Sequence, residues 1–276
     1  MSTETFPLES WLDEGCRIAR TAGDAILAIY TRDFSVYEKS DASPLTEADL
    51  ASHRVIMKEL GTLKPELPIL SEESADIPYD ERSRWQTYWL VDPLDGTREF
   101  VKRNSEFTVN IALIHDGRPI LGVVHVPVQG QTYFAARGLG AYRRDGAGQD
   151  GIVAIRVRTR AEGPLKILGS RSHSSRLLDE YLAKAAPDIG EYELVTKGSS
   201  LKFCLVAEGA ADLYPRFGLT SEWDTAAAHA IVLEAGGEVT DMNLDELVYN
   251  RKESLLNPFF FAFGHRQHDW SAFLSE

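Results

Sequence analysis

The 276-residue chain is 43% apolar and 10% aromatic, enough to build a substantial core in one large domain or two interlocked halves. Its 29 basic against 42 acidic side chains leave a formal net charge of −13, which argues against nucleic-acid polymers or an anionic membrane held by a general basic field. An anionic substrate would have to be recognised locally. Cys16 and Cys204, far apart and without metal-type spacing, read as core residues of a reducing compartment. The N-terminus lacks the basic and apolar regions of a secretory signal, and no apolar run approaches membrane-spanning length. The expected location is cytoplasmic, with peripheral attachment at the inner membrane as the alternative.

In chain order, Trp11, Leu12, Ile18, Ile26, Leu27 and Ile29 recur at roughly helical spacing and predict a helix from about Leu8 to Tyr30. Thr46 and Asp49 have the form of a capping box in front of a second helix reaching Leu60. Pro68-Ile69-Leu70-Ser71-Glu72-Glu73-Ser74 is a short apolar strand that ends in acids. The run from Trp89 to Phe100 repeats that pattern more sharply, with Asp92 and Asp95 emerging from an apolar strand around Pro93 and Leu94. Both aspartates are hard oxygen donors, and a carbonyl between them, freed from a regular ladder by Pro93, can face the same cation, as Mg²⁺ chemistry prefers. Gly96 allows close approach of a ligand, and Thr97 opens a helical turn whose unpaired amides would suit a phosphate oxygen. Lys102, Arg103 and Asn104 read as a solvent-exposed polar loop.

Thr108 to His115 and Pro119 to Val126 predict a hairpin across Asp116-Gly117-Arg118. Gly130, Gly138 and Gly140 punctuate a continuing antiparallel sheet, extended by Ile152 to Val157. After about Glu162 the pattern alternates: Leu165 to Leu168 as strand, Leu177 to Lys184 as helix, Glu193 to Thr196 as strand, then Ser199 to Glu208 and Trp223 to Ala235 as helices. Taken singly, the acids of these segments are also explained by an Asp-rich turn, a solvated strand end and a helix-start acid. The scattered histidines show no ligand spacing.

Taken together, the segments resemble the inositol monophosphatase superfamily of Mg²⁺-dependent, lithium-sensitive phosphatases. The run Trp89-Leu90-Val91-Asp92-Pro93-Leu94-Asp95-Gly96-Thr97 matches its signature. Ser71-Glu72-Glu73-Ser74 resembles its G-E-E-S segment with Ser in place of Gly. Trp223-Asp224-Thr225-Ala226-Ala227 looks like W-D-x-A-A, and Lys39 to Asp49 resembles K-x-x-x-x-P-x-T-x-A-D. The resemblance extends from Lys39 to about Gly237. It implies an α/β (α+β) fold, a layered α/β/α/β/α sandwich in which residues 1–161 carry an antiparallel sheet and most metal ligands, and residues 162–276 close the substrate cleft. It further implies one Mg²⁺ held by Glu72, Asp92 and the Leu94 carbonyl and a second by Asp92, Asp95 and Asp224. A third ion would be assisted by Asp49, which hydrogen-bonds Thr97. Glu72, Thr97 and Asp49 would then orient the attacking water, while Gly96 and Thr97 hold the transferred phosphoryl group.

The second half bears on the substrate. Gly169-Ser170-Arg171-Ser172-His173 resembles the S-R-S-H segment of the 3'(2'),5'-bisphosphate nucleotidases, the CysQ-type branch of the superfamily. Ser170, Arg171 and His173, with Lys197 before a helix, would suit a second phosphate. Arg216 falls where inositol monophosphatases carry a glutamate, and an arginine favours an added phosphate or a base over polyol hydroxyls. The reading is a nucleotidase of sulfur metabolism that hydrolyses adenosine 3',5'-bisphosphate to AMP and phosphate, and that could also take its sulfated relative. The alternatives are an inositol or sugar monophosphatase and, from another class, a phosphometabolite-binding regulator without turnover. Oligomeric state stays open.

Overall fold

The helical stripe that begins at Trp11 forms α1 (Leu8–Tyr30), which buries Trp11, Cys16, Ile18, Ile26 and Ile29 along one side. The computed structural model describes residues 6–38, 44–146, 148, 151–159, 163–171, 176–265 and 268–274. A small ribbon, β1 (Val36–Glu38) and β2 (Pro44–Thr46), leads into α2 (Glu47–Leu60). There follow β3 (Ile69–Ser71), α3 (Tyr79–Arg82), β4 (Thr87–Asp95), α4 (Thr97–Val101), β5 (Thr108–His115), β6 (Arg118–Val126), β7 (Gln131–Ala136), β8 (Gly140–Asp145) and β9 (Ile152–Ala154). The rest of the chain forms β10 (Leu165–Ser170), α5 (Arg176–Ile189), β11 (Tyr192–Lys197), α6 (Leu201–Ala207), β12 (Leu213–Arg216), α7 (Glu222–Glu234), β13 (Glu238–Asp241) and β14 (Phe260–Phe263).

Seven strands, β3 to β9 in chain order, make one sheet that is antiparallel except at the β3/β4 pair. Five make a second sheet in the order β11-β10-β12-β14-β13, parallel at one end and antiparallel at the other. α1 and α2 cover one face of the large sheet through Trp89, Val91, Ile111 and Val123. Its other face meets α6 and α7, which also pack against the small sheet, so Leu90, Ala112, Ala227, Ile231 and Phe260 share one apolar cluster. α5 and Trp270 close the outer face of the small sheet. This is the five-layer α/β/α/β/α order expected, and its middle layer joins the two halves of the chain in a common core.

The hairpin tightens to two loop residues, Asp116 and Gly117, both at positive φ, as the right-handed twist of paired strands prefers. β9 is shorter than expected: the Ile155 amide still donates to the Ala141 carbonyl of β8, but the Val157 amide donates to the Ala235 carbonyl after α7. Arg103 is exposed, as expected, and also donates to the carbonyls of Tyr30 (2.5 Å) and Arg32 (2.7 Å) and lies over the Tyr30 and Phe34 rings, tying the end of α1 to the loop before β5.

α7 is buried on nearly every side because it lies between two sheets, and its alanines keep it thin. Contact with β6 is closest at Gly122, where an added Cβ would lie 2.0 Å from the Ala227 carbonyl oxygen and 2.9 Å from the Ala230 Cβ. Gly122→Ala should therefore force α7 off the sheet, lowering stability by about 3 kcal/mol in urea titrations, the upper range for overpacking. Wild-type stability in that variant would show that α7 shifts freely.

Candidate active site

A strand alternates its side chains, so residues three apart face opposite sides of a sheet. In β4 that rule breaks between Asp92 and Asp95. Asp92 pairs with Asn110 and Asp95 with Thr108, so β4 spends one more residue than β5 over this stretch. The bulge sits at Pro93, which has no N–H to donate to the ladder. Its effect is visible in the packing: Tyr88 and Leu90 face the α7 side, yet Leu94 packs with Trp89 and Val91 on the α1 side. Asp92 and Asp95 thus reach the same side, where α7 brings Asp224. The three carboxylates offer oxygens within 4.8 Å of one another.

Each carboxylate is held by local bonds. Asp92 Oδ1 accepts the Leu94 amide (3.0 Å), and Ser52 Oγ donates to the Pro93 carbonyl (2.6 Å), fixing the bulge to α2. Asp224 occupies the third position of α7 and accepts the Ser221 amide at Oδ2 (2.8 Å), completing a capping box. Asp95 Oδ2 accepts the Ser200 amide (2.6 Å) and lies 2.8 Å from Ser200 Oγ, with Asn110 Nδ2 at 3.4 Å and Thr108 Oγ1 at 3.5 Å. Ser200 Oγ also reaches the Asp224 carbonyl (2.7 Å), which links two of the carboxylate-bearing segments. Among the described residues every donor to Asp95 goes to Oδ2 and none to Oδ1.

Burial, followed by the charges of Glu72, Asp95 and Asp224 and a hydrogen bond to Glu72, holds the Asp92 carboxyl well above its ordinary range. Burial and the charges of Asp95 and Glu72 do the same to Asp224. Burial also raises Asp95, against the opposing pull of Lys202 and Ser200. Hard oxygen donors crowded in this way are poorly matched to one another and well matched to a divalent cation. Glu72 and Leu94 line the same cleft, so the donor set fits such an ion.

Behind the carboxylates, Thr97 Oγ1 donates to Asp49 Oδ1 (3.1 Å) and stands 3.3 Å from the Leu94 carbonyl. Asp49 is buried, and its Oδ2 accepts the amide (2.8 Å) and hydroxyl (2.6 Å) of Thr46. It therefore caps α2 and orients Thr97 at once. Gly96 adopts φ +91°, and a Cβ there would press on the Glu106 carbonyl and Ser199.

The cleft has a volume of about 570 Å³, and its walls include Glu72, Asp92, Asp95, Thr97, Ser170 and Asp224. Arg216 also lines it, with Nε and Nη2 donating to the carbonyls of Gly218 (3.2 Å) and Leu219 (3.1 Å). Arg171 and Lys197 take a different position. Both are bound to Glu106, Arg171 through two bonds of 2.7 and 2.9 Å and Lys197 at 3.3 Å, so their charges meet a carboxylate at the edge of the cleft. His173 and the segment Lys39 to Ser43 lie outside the described residues.

The sequence reading passed over Asn110, Glu106 and Lys202, and it treated Ser200 only as part of a helix start. Lys202 lines the cleft, donates to the Ser199 carbonyl (2.7 Å) and sits over the Tyr214 ring. Burial pushes its ammonium down to about 8, opposed by Asp95. Burial pulls the Glu106 carboxyl up, but Arg171, the Gly198 amide and Lys197 outweigh it and hold the group below its ordinary value. Lys202 had a local signal, a lysine inside an apolar helix face. Glu106 had none, because its partners are more than 60 residues away. Both cysteines are buried and free, as expected. His53, His115, His125 and His229 bond to hydroxyl groups of Ser71, Thr87, Thr132 and Tyr249.

The inositol monophosphatase family model matches residues 8–270. The 3'(2'),5'-bisphosphate nucleotidase CysQ of Escherichia coli K12 is 51% identical over 252 residues, covering 90% of this chain and 98% of the relative. The protein of the same name from Haemophilus influenzae is 37% identical, covering 95% of this chain and 96% of its own. Among solved structures, CysQ from Bacteroides thetaiotaomicron superposes with a TM-score of 0.84 at 41% identity, over 95% of this chain and all of that one.

The raised carboxyls make a signed prediction for the metal-free protein. A carboxyl whose folded value is raised contributes stability that is fully present below its unfolded value and lost as pH rises through the folded one. For Asp92 and Asp224 that loss begins above 3.8. Glu222, whose carboxyl burial raises from 4.5 to about 7, adds to it over that interval. In chelator, Asp92→Asn should raise the melting temperature relative to wild type, by more at pH 8 than at pH 5. Calorimetric melts at both values check this, and a variant less stable than wild type at pH 8 would contradict it.

Proposed function

The chain belongs to the inositol monophosphatase family, and from that premise we propose that it is a Mg²⁺-dependent 3'(2'),5'-bisphosphate nucleotidase, removing the 3'-phosphate of adenosine 3',5'-bisphosphate. The observation that carries the reaction class is the trio Asp92, Asp95 and Asp224 gathered on one side of a bulged strand at the mouth of a cleft. Nucleotide preference is supported by relatives of that name at about half identity over most of the chain, and by Lys202 and Arg216 in the cleft wall.

Asp92, Asp95, Asp224, Glu72 and the Leu94 carbonyl would hold two Mg²⁺ ions, with Asp49 and Thr97 placed to assist a third. When bound, such ions supply an activated water nucleophile at neutral pH and neutralise charge on the phosphoryl and leaving oxygens. The protein's own part is orientation. Thr97, with its proton committed to Asp49, would accept a hydrogen bond from one proton of the attacking water, and Glu72, in the same cleft wall, would take the other. Gly96 leaves room for a phosphoryl oxygen beside the chain, and Ser170 and Arg216 face the remainder of the substrate. Arg216 meets it on a loop that its own guanidinium holds. We place the enzyme in the cytoplasm and expect inhibition by lithium. No helix among the described residues is long and apolar enough to cross a membrane.

Phosphate release from adenosine 3',5'-bisphosphate and from inositol 1-phosphate, measured side by side with Mg²⁺ and with chelator, tests both parts. The expected result is metal-dependent turnover with at least a tenfold preference for the nucleotide. Preference for inositol phosphate would keep the reaction class and overturn the substrate. Asp92→Asn should abolish release of phosphate from either ester while the protein stays folded.

A further inference from the structure

Glu106 lies in the loop before β5, outside the wall of the cleft, yet it is buried and fully engaged. Its Oε2 accepts Arg171 Nε (2.7 Å) and the Gly198 amide (2.8 Å), and its Oε1 accepts Arg171 Nη2 (2.9 Å) and Lys197 Nζ (3.3 Å). All three partners come from the second half of the chain, at the ends of β10 and β11. The turn they form packs without slack: a Cβ at Gly198 would lie 2.7 Å from Glu99 Cγ and 2.8 Å from the Glu106 carbonyl.

The same turn is locally unfavourable. Ser199 is held at φ +45°, a conformation that a non-glycine residue adopts only when its surroundings impose it, and its hydroxyl is buried with no hydrogen-bond partner among the described residues. Glu106 grips the turn from the amide of Gly198, and Lys202 grips it from the carbonyls of Ser199 (2.7 Å) and Lys197 (3.3 Å). The next residue, Ser200, delivers its amide to Asp95 Oδ2 (2.6 Å), and its hydroxyl lies between that oxygen (2.8 Å) and the Asp224 carbonyl (2.7 Å). Filling Oδ2 leaves Oδ1 as the oxygen of Asp95 available to a cation.

We infer that Glu106 is a positioning residue for Asp95: by clamping the Lys197–Ser200 turn through Gly198, Arg171 and Lys197, it commits one oxygen of Asp95 to Ser200 and turns the other toward a divalent ion. Arg171 and Lys197 act in this clamp, from outside the cleft. The inference rests on the metal-dependent reading above and adds to it a residue that never touches metal or substrate. Partners of metal ligands commonly change affinity by 10–100-fold when removed.

The test is Mn²⁺ binding to the full-length protein without substrate, read from the electron paramagnetic resonance of the free ion, with Mg²⁺ activation of turnover alongside. Glu106→Gln puts an amide N–H₂ against Arg171 and Lys197, and Ser200→Ala removes the hydroxyl donor at the far end. Each should raise the Mn²⁺ dissociation constant roughly tenfold or more, in line with such partners elsewhere, and the Mg²⁺ requirement in parallel. The double variant should lose little beyond the worse single one, because both act through the same contact. Glu14→Gln, at an exposed ion pair on α1, should change nothing. Wild-type Mn²⁺ affinity in folded Glu106→Gln, or losses that multiply in the double variant, would overturn the inference. If Glu106→Gln does not fold by circular dichroism, Arg171→Gln takes its place under the same two criteria. A wild-type protein that binds no Mn²⁺ and releases no phosphate would instead remove the metal-dependent reading itself.

Discussion

Like charges crowded together in the wall of one cleft are the constraint on which this structure depends. Asp92, Asp95 and Asp224 place oxygens within 4.8 Å of one another; burial pushes all three carboxyls upward, and neighbouring carboxylates add to this at Asp92 and Asp224. Such a cluster persists only where each member is anchored by bonds that do not involve the others. The anchors differ in kind. Asp92 is held by its own bulge, Asp224 by the capping of α7, and Asp95 by a serine from another part of the fold.

The layered architecture follows from the same need. A single bulge at Pro93 can turn two aspartates to one side of a sheet, but the third must come from a separate element brought close to that side. α7 fills this role because its alanines and the bare backbone of Gly122 let helix and sheet approach closely. The helix is buried between two sheets, so its first turn has little freedom. The common apolar cluster of the middle layer is therefore part of the site's geometry as well as of its stability.

The overall charge of −13 and the anionic substrate proposed here are reconciled at short range. Lys202 and Arg216 place positive charge in the cleft, and a bound divalent cation would offset the carboxylates. Glu106 extends the same logic outward. It pairs with both Arg171 and Lys197 at the cleft edge, offsetting one of their two charges, and uses them to hold a strained turn. Surface ion pairs seldom matter energetically, but this one is bidentate, largely buried on the acid side and also bonded to a backbone amide.

Much of this was legible in the residues alone, because it rests on local rules. Capping of α2 by Thr46 and Asp49, the turn at Asp116-Gly117, the strand ending in Asp92 and Asp95, and the acid at the start of α7 all depend on neighbours within a few positions. Resemblance then assembled those segments into one site and one layered fold. What tertiary structure decided was the outcome of long-range competition. Arg171 and Lys197 look like phosphate ligands in sequence, and the fold gives both a carboxylate partner, Glu106, that no local pattern announces. Ser200 is the helix start it looks like, and its amide is also bound by Asp95. Arg103 is the solvent-exposed residue it looks like, and the fold adds two carbonyls at the end of α1 that engage it. The sequence by itself determined which groups carry the chemistry, since that is a matter of residue type and local backbone. Only the folded chain decided which donor meets which acceptor, because a charged side chain pairs with whatever the packing brings within about 3 Å.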